Sequence, residues 1–313
     1  MVYEYGSVAQ IPLYNCANES ILIGTKRPML GAIAMVYGAI MIVLFIPCLF
    51  IMVSRVELYN LSCYRIMFFV GLIDIMALSM NSILTGYLAF TGAIFCTYPT
   101  LIFYSGLTGM SLWSCSCVAN IVLLLNRISY LKNWGNSMQI LLIVSIVYGL
   151  YFFLFTEPVL FSSDRYGWFF NPFTSTSKFE DYFNHAHTFN NIFVVLVTLI
   201  LYIYIVLVIR KMFRSTFSAV YQRKNIVLKQ AIIICSIDQI ASIIYVVMNF
   251  TKISTWIIIV GQWLWQLAHG FPVITYLTIN TTLRNEFVQL VCRRRTRSGN
   301  VTATSSRLMV TKI

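Results

Sequence analysis

Asp74, Asp238 and His269 interrupt runs that are otherwise apolar, Ser116 lies within a run that carries no formal charge from Ile75 to Asn126, and Arg127 ends that run. Acids, a histidine and a serine are the materials of hydrolysis or metal binding. A hydrolase needs a nucleophile held against a base, and a zinc site needs three or four His, Cys or carboxylate ligands. One intramembrane histidine with two acids far away in sequence meets neither requirement. His185 and His187, two residues apart, share no helical face for a metal and read as plain loop histidines. The expectation is therefore no metal, no cofactor and no enzyme, and a chemistry of binding and rearrangement instead.

The elements that must position these groups follow from composition. Hydrophobic residues make up 59% of the 313 and charged ones 10%, against roughly a quarter charged in a soluble domain. A helix needs about 20 apolar residues to cross a bilayer. The charges divide the chain into spans drawn at Met29–Ser54, Ile66–Gly92, Tyr98–Asn126, Met138–Phe161, Phe189–Ile209, Gln230–Phe250 and Trp256–Ile279. Each must be helical to satisfy its own backbone in lipid, and the runs are too long for the strands of a membrane barrel. The fold class expected is an all-α membrane protein, a seven-transmembrane helix bundle with a short cytoplasmic amphipathic eighth helix. The expected organisation is an extracellular segment 1–28, a seven-transmembrane bundle 29–279, an amphipathic surface helix 280–292 and a flexible basic cytoplasmic tail 293–313.

Of the 22 lysines and arginines, Lys26, Arg27, Arg165, Lys178 and Lys252 fall on one side and the remainder on the other. The inside-positive rule then puts the amino terminus outside and the tail in the cytoplasm. The net charge of +12 is concentrated at membrane exits, which fits anionic inner-leaflet lipid and a cytosolic partner and argues against nucleic acid. Met1 to Ile11 has neither the basic start nor the apolar centre of a cleavable signal, so the first span is expected to target the chain. Asn18 opens an external glycosylation sequon, Asn18-Glu19-Ser20. Of the eight cysteines, Cys16 and Cys96 alone fall outside, where a bridge is permitted; a bridge and two free thiols are both open at this point. Cys48, Cys115, Cys117 and Cys235 read as small buried apolar residues.

With this topology Arg127 ends the third span at its inner exit, where a snorkelling interface anchor is the simplest reading. Asp74 lies nine residues beyond Arg65, deep enough that an ionised carboxylate would cost about 2.5 to 3.5 kcal/mol. Ser116, eleven residues before Arg127, reaches a comparable depth at a rise of about 1.5 Å per residue. The two define either a water or cation pocket, or a protonated acid hydrogen-bonded to a helix. Asp238, beside Gln239, is a second intramembrane acid that serves function or helix association. Pro272 predicts a kink in the seventh span. Beyond Asn280, Leu283, Phe287, Leu290 and Val291 share one helical face, away from Arg284, Asn285 and Glu286, and Cys292 is a candidate for palmitoylation. A small-molecule site should be mostly apolar with a few polar groups. Asn81, Tyr87, Tyr104, Gly109, Trp113, Tyr245, Gln262 and Gln266, in the outer halves of their spans, are candidates to line it. The aromatic-rich segment from Ser162 to Thr188 is long enough to cover such a site.

Seven spans, Asp74 in the second, "NR" closing the third, a proline in the seventh and a surface helix together resemble the G-protein-coupled receptors. Within these, "CYRIMFFVGLIDIMAL", "GAIFCTYP", the spacing from Trp113 to "LLLNR" and "YLTINTTLRNEF" resemble the nematode serpentine receptor class T chemoreceptors, from Pro28 to about Val291. The resemblance implies a ligand held between the helices, a heterotrimeric G protein as partner and a place in the plasma membrane, with olfaction at sensory cilia as the setting. It implies that Arg127 engages helix six when the bundle is closed and the G protein when it is open, with Asn126 where an acid is usual. Asp74 and Ser116 would match two members of a sodium pocket, and Pro272 and Tyr276 the activation motif of helix seven. The departures are Phe271 in place of the asparagine before the proline, and one extra residue between Pro272 and Tyr276. The sixth span also lacks the usual tryptophan and proline, a packing role open to Trp113, Trp263 or Trp265. No cysteine lies between Phe161 and Phe189, so the family's usual external bridge cannot form and Cys96 is expected to take Cys16. The competing classes are a transporter or channel, which would show internal pseudo-symmetry, and an intramembrane hydrolase, which lacks its chemistry. No lysine lies between Ile253 and Leu283 for a retinal Schiff base.

Overall fold

A computed structural model describes residues 6–17, 19–132, 140–213, 219–250 and 254–292, without the side chains at 130–132, 179, 209–213, 219–231, 249–250 and 292. The chain is a seven-transmembrane helical bundle. Helix α1 is Pro28–Ser54 and α2 is Ser62–Thr91, unbroken through a wider π turn at Ser79–Leu84. Then come α3 at Pro99–Lys132, α4 at Leu141–Phe155, α5 at His185–Phe213, α6 at Ala219–Phe250 and α7 at Thr255–Thr278. A last helix, α8, covers Thr281–Cys292. Five of these are long and apolar enough to span a membrane, and apolar stretches at Leu141–Phe155 and Ile232–Met248 complete the set.

The helix ends differ from the spans drawn on charge, for physical reasons. Helices α3, α5 and α6 run on to Lys132, Phe213 and back to Ala219. Basic residues are excluded from lipid but not from a helix, so a charge marks the membrane exit and not the end of the helix. In the other direction α4 stops at Phe155, short of the expected Phe161. Pro158 disfavours the helical region for Glu157 before it, and the chain continues as strand β1, Leu160–Ser162. It pairs antiparallel with β2, Gly167–Phe169, in the register Leu160 to Phe169, Phe161 to Trp168 and Ser162 to Gly167. The segment expected to cover a site is thus a hairpin. Helix α5 begins four residues earlier than drawn, which corrects the reading of His185 and His187: both stand in its first turn.

The bundle closes tightly where small residues let backbones meet. A Cβ on Gly31 would stand 2.5 Å from the Gly86 carbonyl oxygen, and one on Gly86 2.6 Å from that of Gly31, which brings α1 and α2 together. Gly106 does the same for α3 and the hairpin, since a Cβ there would collide with the Val159 carbonyl. Apolar side chains such as Val43, Ile143 and Ile200 are exposed on the outer faces of α1, α4 and α5, as lipid contact requires. At the hairpin end Val8, Ile11 and Tyr14 are buried, with the Tyr14 ring against Phe95, Phe103 and Tyr182. The Cys16–Cys96 disulfide ties this segment to the start of α3. Arg27 donates to the Ser163 and Asp164 carbonyls at 2.7 and 2.6 Å. At the opposite end Asn280 caps α8 by accepting from the Leu283 amide at 3.1 Å. Leu283 is buried, Leu290 and Val291 stay exposed, and Glu286 pairs with Arg55 at 2.7 Å.

Candidate ligand cavity and buried polar seam

Beneath the hairpin lies a cavity lined mostly by aromatic and apolar side chains with a few polar groups, the character of small-molecule sites. Helix α3 contributes Met110 and Trp113, the hairpin Trp168 and Phe169, α6 Tyr245 and Met248, and α7 Trp265. Asn171, Tyr182 and His187 also line it, and together with the Tyr245 hydroxyl and the indole N–H groups they are the polar groups among the lining side chains. The hairpin is held down by Trp168, whose Nε1 donates to Thr85 Oγ1 on α2 at 2.9 Å, and by Tyr166, whose hydroxyl donates to the Leu30 carbonyl at 3.2 Å. Burial pushes the Tyr166 phenol up to about 12, against smaller opposing effects of Gln266 and Arg27. Burial likewise raises the Tyr14 and Tyr182 phenols. These groups stay neutral and hydrogen-bonding across the physiological range.

Of the eight residues expected to line a site, Trp113 and Tyr245 are on this wall, and Gly109 packs just behind it, with a Cβ there 3.2 Å from the Trp265 ring. Asn81, Gln262 and Gln266 are buried but join α2 to α7. Asn81 Nδ2 donates to the Trp265 carbonyl at 3.3 Å, and both glutamine side chains donate to the Asn81 carbonyl at 3.0 Å. That carbonyl belongs to the π turn, where the helical hydrogen-bond ladder is shifted. Tyr87 and Tyr104 are exposed on the outside of the bundle and are not among the cavity-lining residues.

Below the cavity a seam of buried polar groups runs along helix faces set by spacings of three, four and seven residues. Trp113, Ser116, Asn120 and Arg127 share a face of α3, covering about 21 Å at 1.5 Å per residue. Met67, Asp74 and Asn81 recur every seven residues on α2, and Trp265, His269 and Tyr276 follow one another at spacings of four and seven on α7. Asp74 accepts from or donates to His269 Nδ1 at 2.9 Å, both side chains 1% exposed. The acids are therefore not distant from the histidine, which corrects the sequence reading. No direct contact joins Asp74 to Ser116 among the described interactions. Ser116 Oγ instead accepts from Asn120 Nδ2 at 3.4 Å, and the same nitrogen donates to Asp238 on α6 at 2.6 Å. Asp238 lies within Coulombic reach of both Asp74 and His269. The Trp113 and His269 rings meet edge to face at 6.0 Å, which joins the cavity wall to the acid and histidine. Among the described residues no group of three or more His, Cys, Asp or Glu side chains is placed to hold a metal.

The seam ends at Arg127, 6% exposed. Its Nη2 donates to Met67 Sδ at 3.2 Å and its Nε has no partner. Sulfur is a weak acceptor, and among the described residues no carboxylate pairs with this arginine, so its described contact is to α2 and not to α6. Asn126 Nδ2 donates to Ser62 Oγ at 3.1 Å. Tyr276 is fully buried against Phe45, with no described partner for its hydroxyl. Helix α7 runs through Pro272, whose carbonyl accepts from Thr275 Oγ1 at 2.7 Å. Trp263 packs on Tyr37 of α1. Asn18 and the side chain of Cys292 lie outside the described residues, as do the tail and the basic side chains between α5 and α6.

Sequence reasoning missed His187, Asn191, Asn120 and Trp168. The signal for the first two was present, since His187 and Asn191 are four apart and face one way once α5 starts at His185. Starting the span at Phe189 hid it. Trp168 carried no signal, because nothing local shows that a loop tryptophan folds back onto α2.

The comparisons agree with this architecture. Residues 1–300 match the family model described as serpentine type 7TM GPCR chemoreceptor Srt. Serpentine receptor class T-55 of Caenorhabditis elegans is 28% identical over 301 residues, covering 91% of this chain and 82% of that one. With a bundle of seven helices and a family match across nearly its whole length, the chain belongs to the Srt family of serpentine seven-transmembrane chemoreceptors.

Proposed function

We propose that this protein is a G-protein-coupled chemosensory receptor of the plasma membrane that binds a small molecule beneath the hairpin and signals by rearranging its helices. The observation that carries the reading is the continuity of structure from the aromatic cavity, through the Trp113–His269–Asp74 contacts, to the buried Arg127 at the far end. A ligand can shift such a bundle only through different affinities for two arrangements. Trp113 and Trp265 are on the cavity wall and on the helices that carry the seam, so a ligand contact there biases α3 against α7. Arg127, whose described hydrogen bond is to a thioether, a weak acceptor, offers its guanidinium to carbonyls or carboxylates of a heterotrimeric G protein.

The hairpin end is outside and the α8 end cytoplasmic in this reading. The lysine and arginine bias supports it, and so does a disulfide at the hairpin end. Membership in a chemoreceptor family supports the sensory role, with sensory cilia as the expected setting. The test is a ligand screen read by nucleotide exchange on a reconstituted G protein. Arg127→Ala should lower exchange at least tenfold, a loss of about 1.4 kcal/mol or more, while ligand affinity is kept. A full response from that variant refutes the coupling role.

A further inference from the structure

Trp113 of α3 and His187 of α5 both line the cavity, and one side chain behind the wall holds the two together. Asn191 Oδ1 accepts from Trp113 Nε1 at 3.0 Å and from Asn190 Nδ2 at 3.2 Å. An indole N–H only donates, so the amide oxygen must face Trp113 and the amide nitrogen must face the other way. That nitrogen, Asn191 Nδ2, stands 3.1 Å from His187 Nε2 and donates to it. Asn191 is itself fully buried and is not among the cavity-lining residues. A ligand in the cavity therefore meets Trp113 and His187, and Asn191 only through them.

Each of the two rings has a second contact that leads elsewhere. Phe170 of the segment after β2 meets the His187 ring edge to face at 5.3 Å, and Trp113 meets His269 at 6.0 Å. The path from the hairpin to the Asp74 seam thus runs through one amide. A buried network whose members are engaged with one another holds its rings in place. Turning the indole away would leave its buried N–H unmade and take one donor from the Asn191 oxygen, so the contact favours the arrangement in which it exists. We propose that Asn191 is a positioning residue that latches Trp113 to α5 in the resting bundle, so that it sets how often the ligand-free receptor reaches its signalling arrangement, and that a ligand acts by prising Trp113 or His187 from it. This rests on the reading of the chain as a G-protein-coupled receptor and assigns control of its resting state to a residue outside the cavity.

The test is ligand-free nucleotide exchange on a purified heterotrimeric G protein by the full-length receptor in nanodiscs. It is read together with the ultraviolet resonance Raman band of the Trp113 indole N–H, isolated by subtracting the spectrum of Trp113→Phe. Asn191→Leu is expected to move that band from its hydrogen-bonded to its free position and to raise exchange about two- to tenfold, the weight of one hydrogen bond in a two-state equilibrium. Trp113→Phe, which deletes the donor, should raise exchange likewise. Asn191→Leu should then add nothing in the Trp113→Phe background, whereas a general loss of packing would add. Asn191→Asp keeps the acceptor for Trp113, and His187 answers it by carrying its proton on Nε2, so band and exchange return toward the wild type. If Asn191→Leu does not fold, Trp113→Phe must raise exchange and Asn191→Asp must not. An unmoved band, unchanged exchange in Asn191→Leu or additive effects overturn the proposal. Exchange driven in the wild type by a ligand from the screen, with the ligand-free level unmoved in both variants, removes the latch and leaves the receptor; no exchange under any ligand removes both.

Discussion

Replacing His269 by Phe removes the described partner of Asp74 while keeping a ring for Trp113 to pack on. The hydrogen bond is 2.9 Å long between side chains each 1% exposed, and Asp74 Oδ2 and His269 Nε2 already lack described partners. If the pair is neutral, the orphaned carboxyl costs about 1 to 3 kcal/mol; if it is charged, breaking one side costs about 3 to 5 kcal/mol. Asp74→Leu alone should cost a similar amount, because it strands His269. The double variant removes both orphans together and should recover part of the loss, a coupling of about 1 to 3 kcal/mol. The assay is a double-mutant cycle from reversible unfolding in bicelles, with surface delivery as a second readout. Additive single effects would refute the idea that the two groups exist for each other within the seam.

Two further outcomes follow from the hairpin end. Gly106→Ala drives a methyl into the Val159 carbonyl, which cannot move as a flexible side chain would, so it should destabilise by about 1 to 3 kcal/mol and raise protease cleavage in the hairpin; unchanged unfolding would contradict that contact. Tyr166 has a phenol raised from 10.0 to about 12 by burial. A raised folded value leaves stability intact below pH 10, then loses it as pH climbs from 10 to 12, by about 2 to 3 kcal/mol in all. Phenolate absorbance during an alkaline titration, compared with Tyr166→Phe, checks this, and a wild type that titrates as the variant does would sink it.

Much of the membrane architecture was legible because lipid imposes a one-dimensional rule: an apolar run of sufficient length must be a helix. Seven runs, Asp74 buried on the second and the surface helix after Asn280 all follow from that rule. Helix ends were less legible at Lys132, Phe213 and Ala219, since charge reports the water boundary and not the last hydrogen bond. The candidate site was legible in part. Trp113 and Tyr245 were named from depth, but depth cannot tell the inside of a bundle from its lipid face, and so Tyr87 and Tyr104 were named with them.

The sequence by itself determined which residues had to leave water and which could not do so unpartnered, because transfer energies belong to individual side chains. Only the tertiary structure decided the partners. Helix rotation set His269 and not Ser116 against Asp74, and it turned the i to i+4 pair of His187 and Asn191 toward Trp113. The azimuth of each helix is fixed by contacts between segments distant in the chain, such as Gly31 on Gly86 and Gly106 on Val159, and no local pattern carries that information.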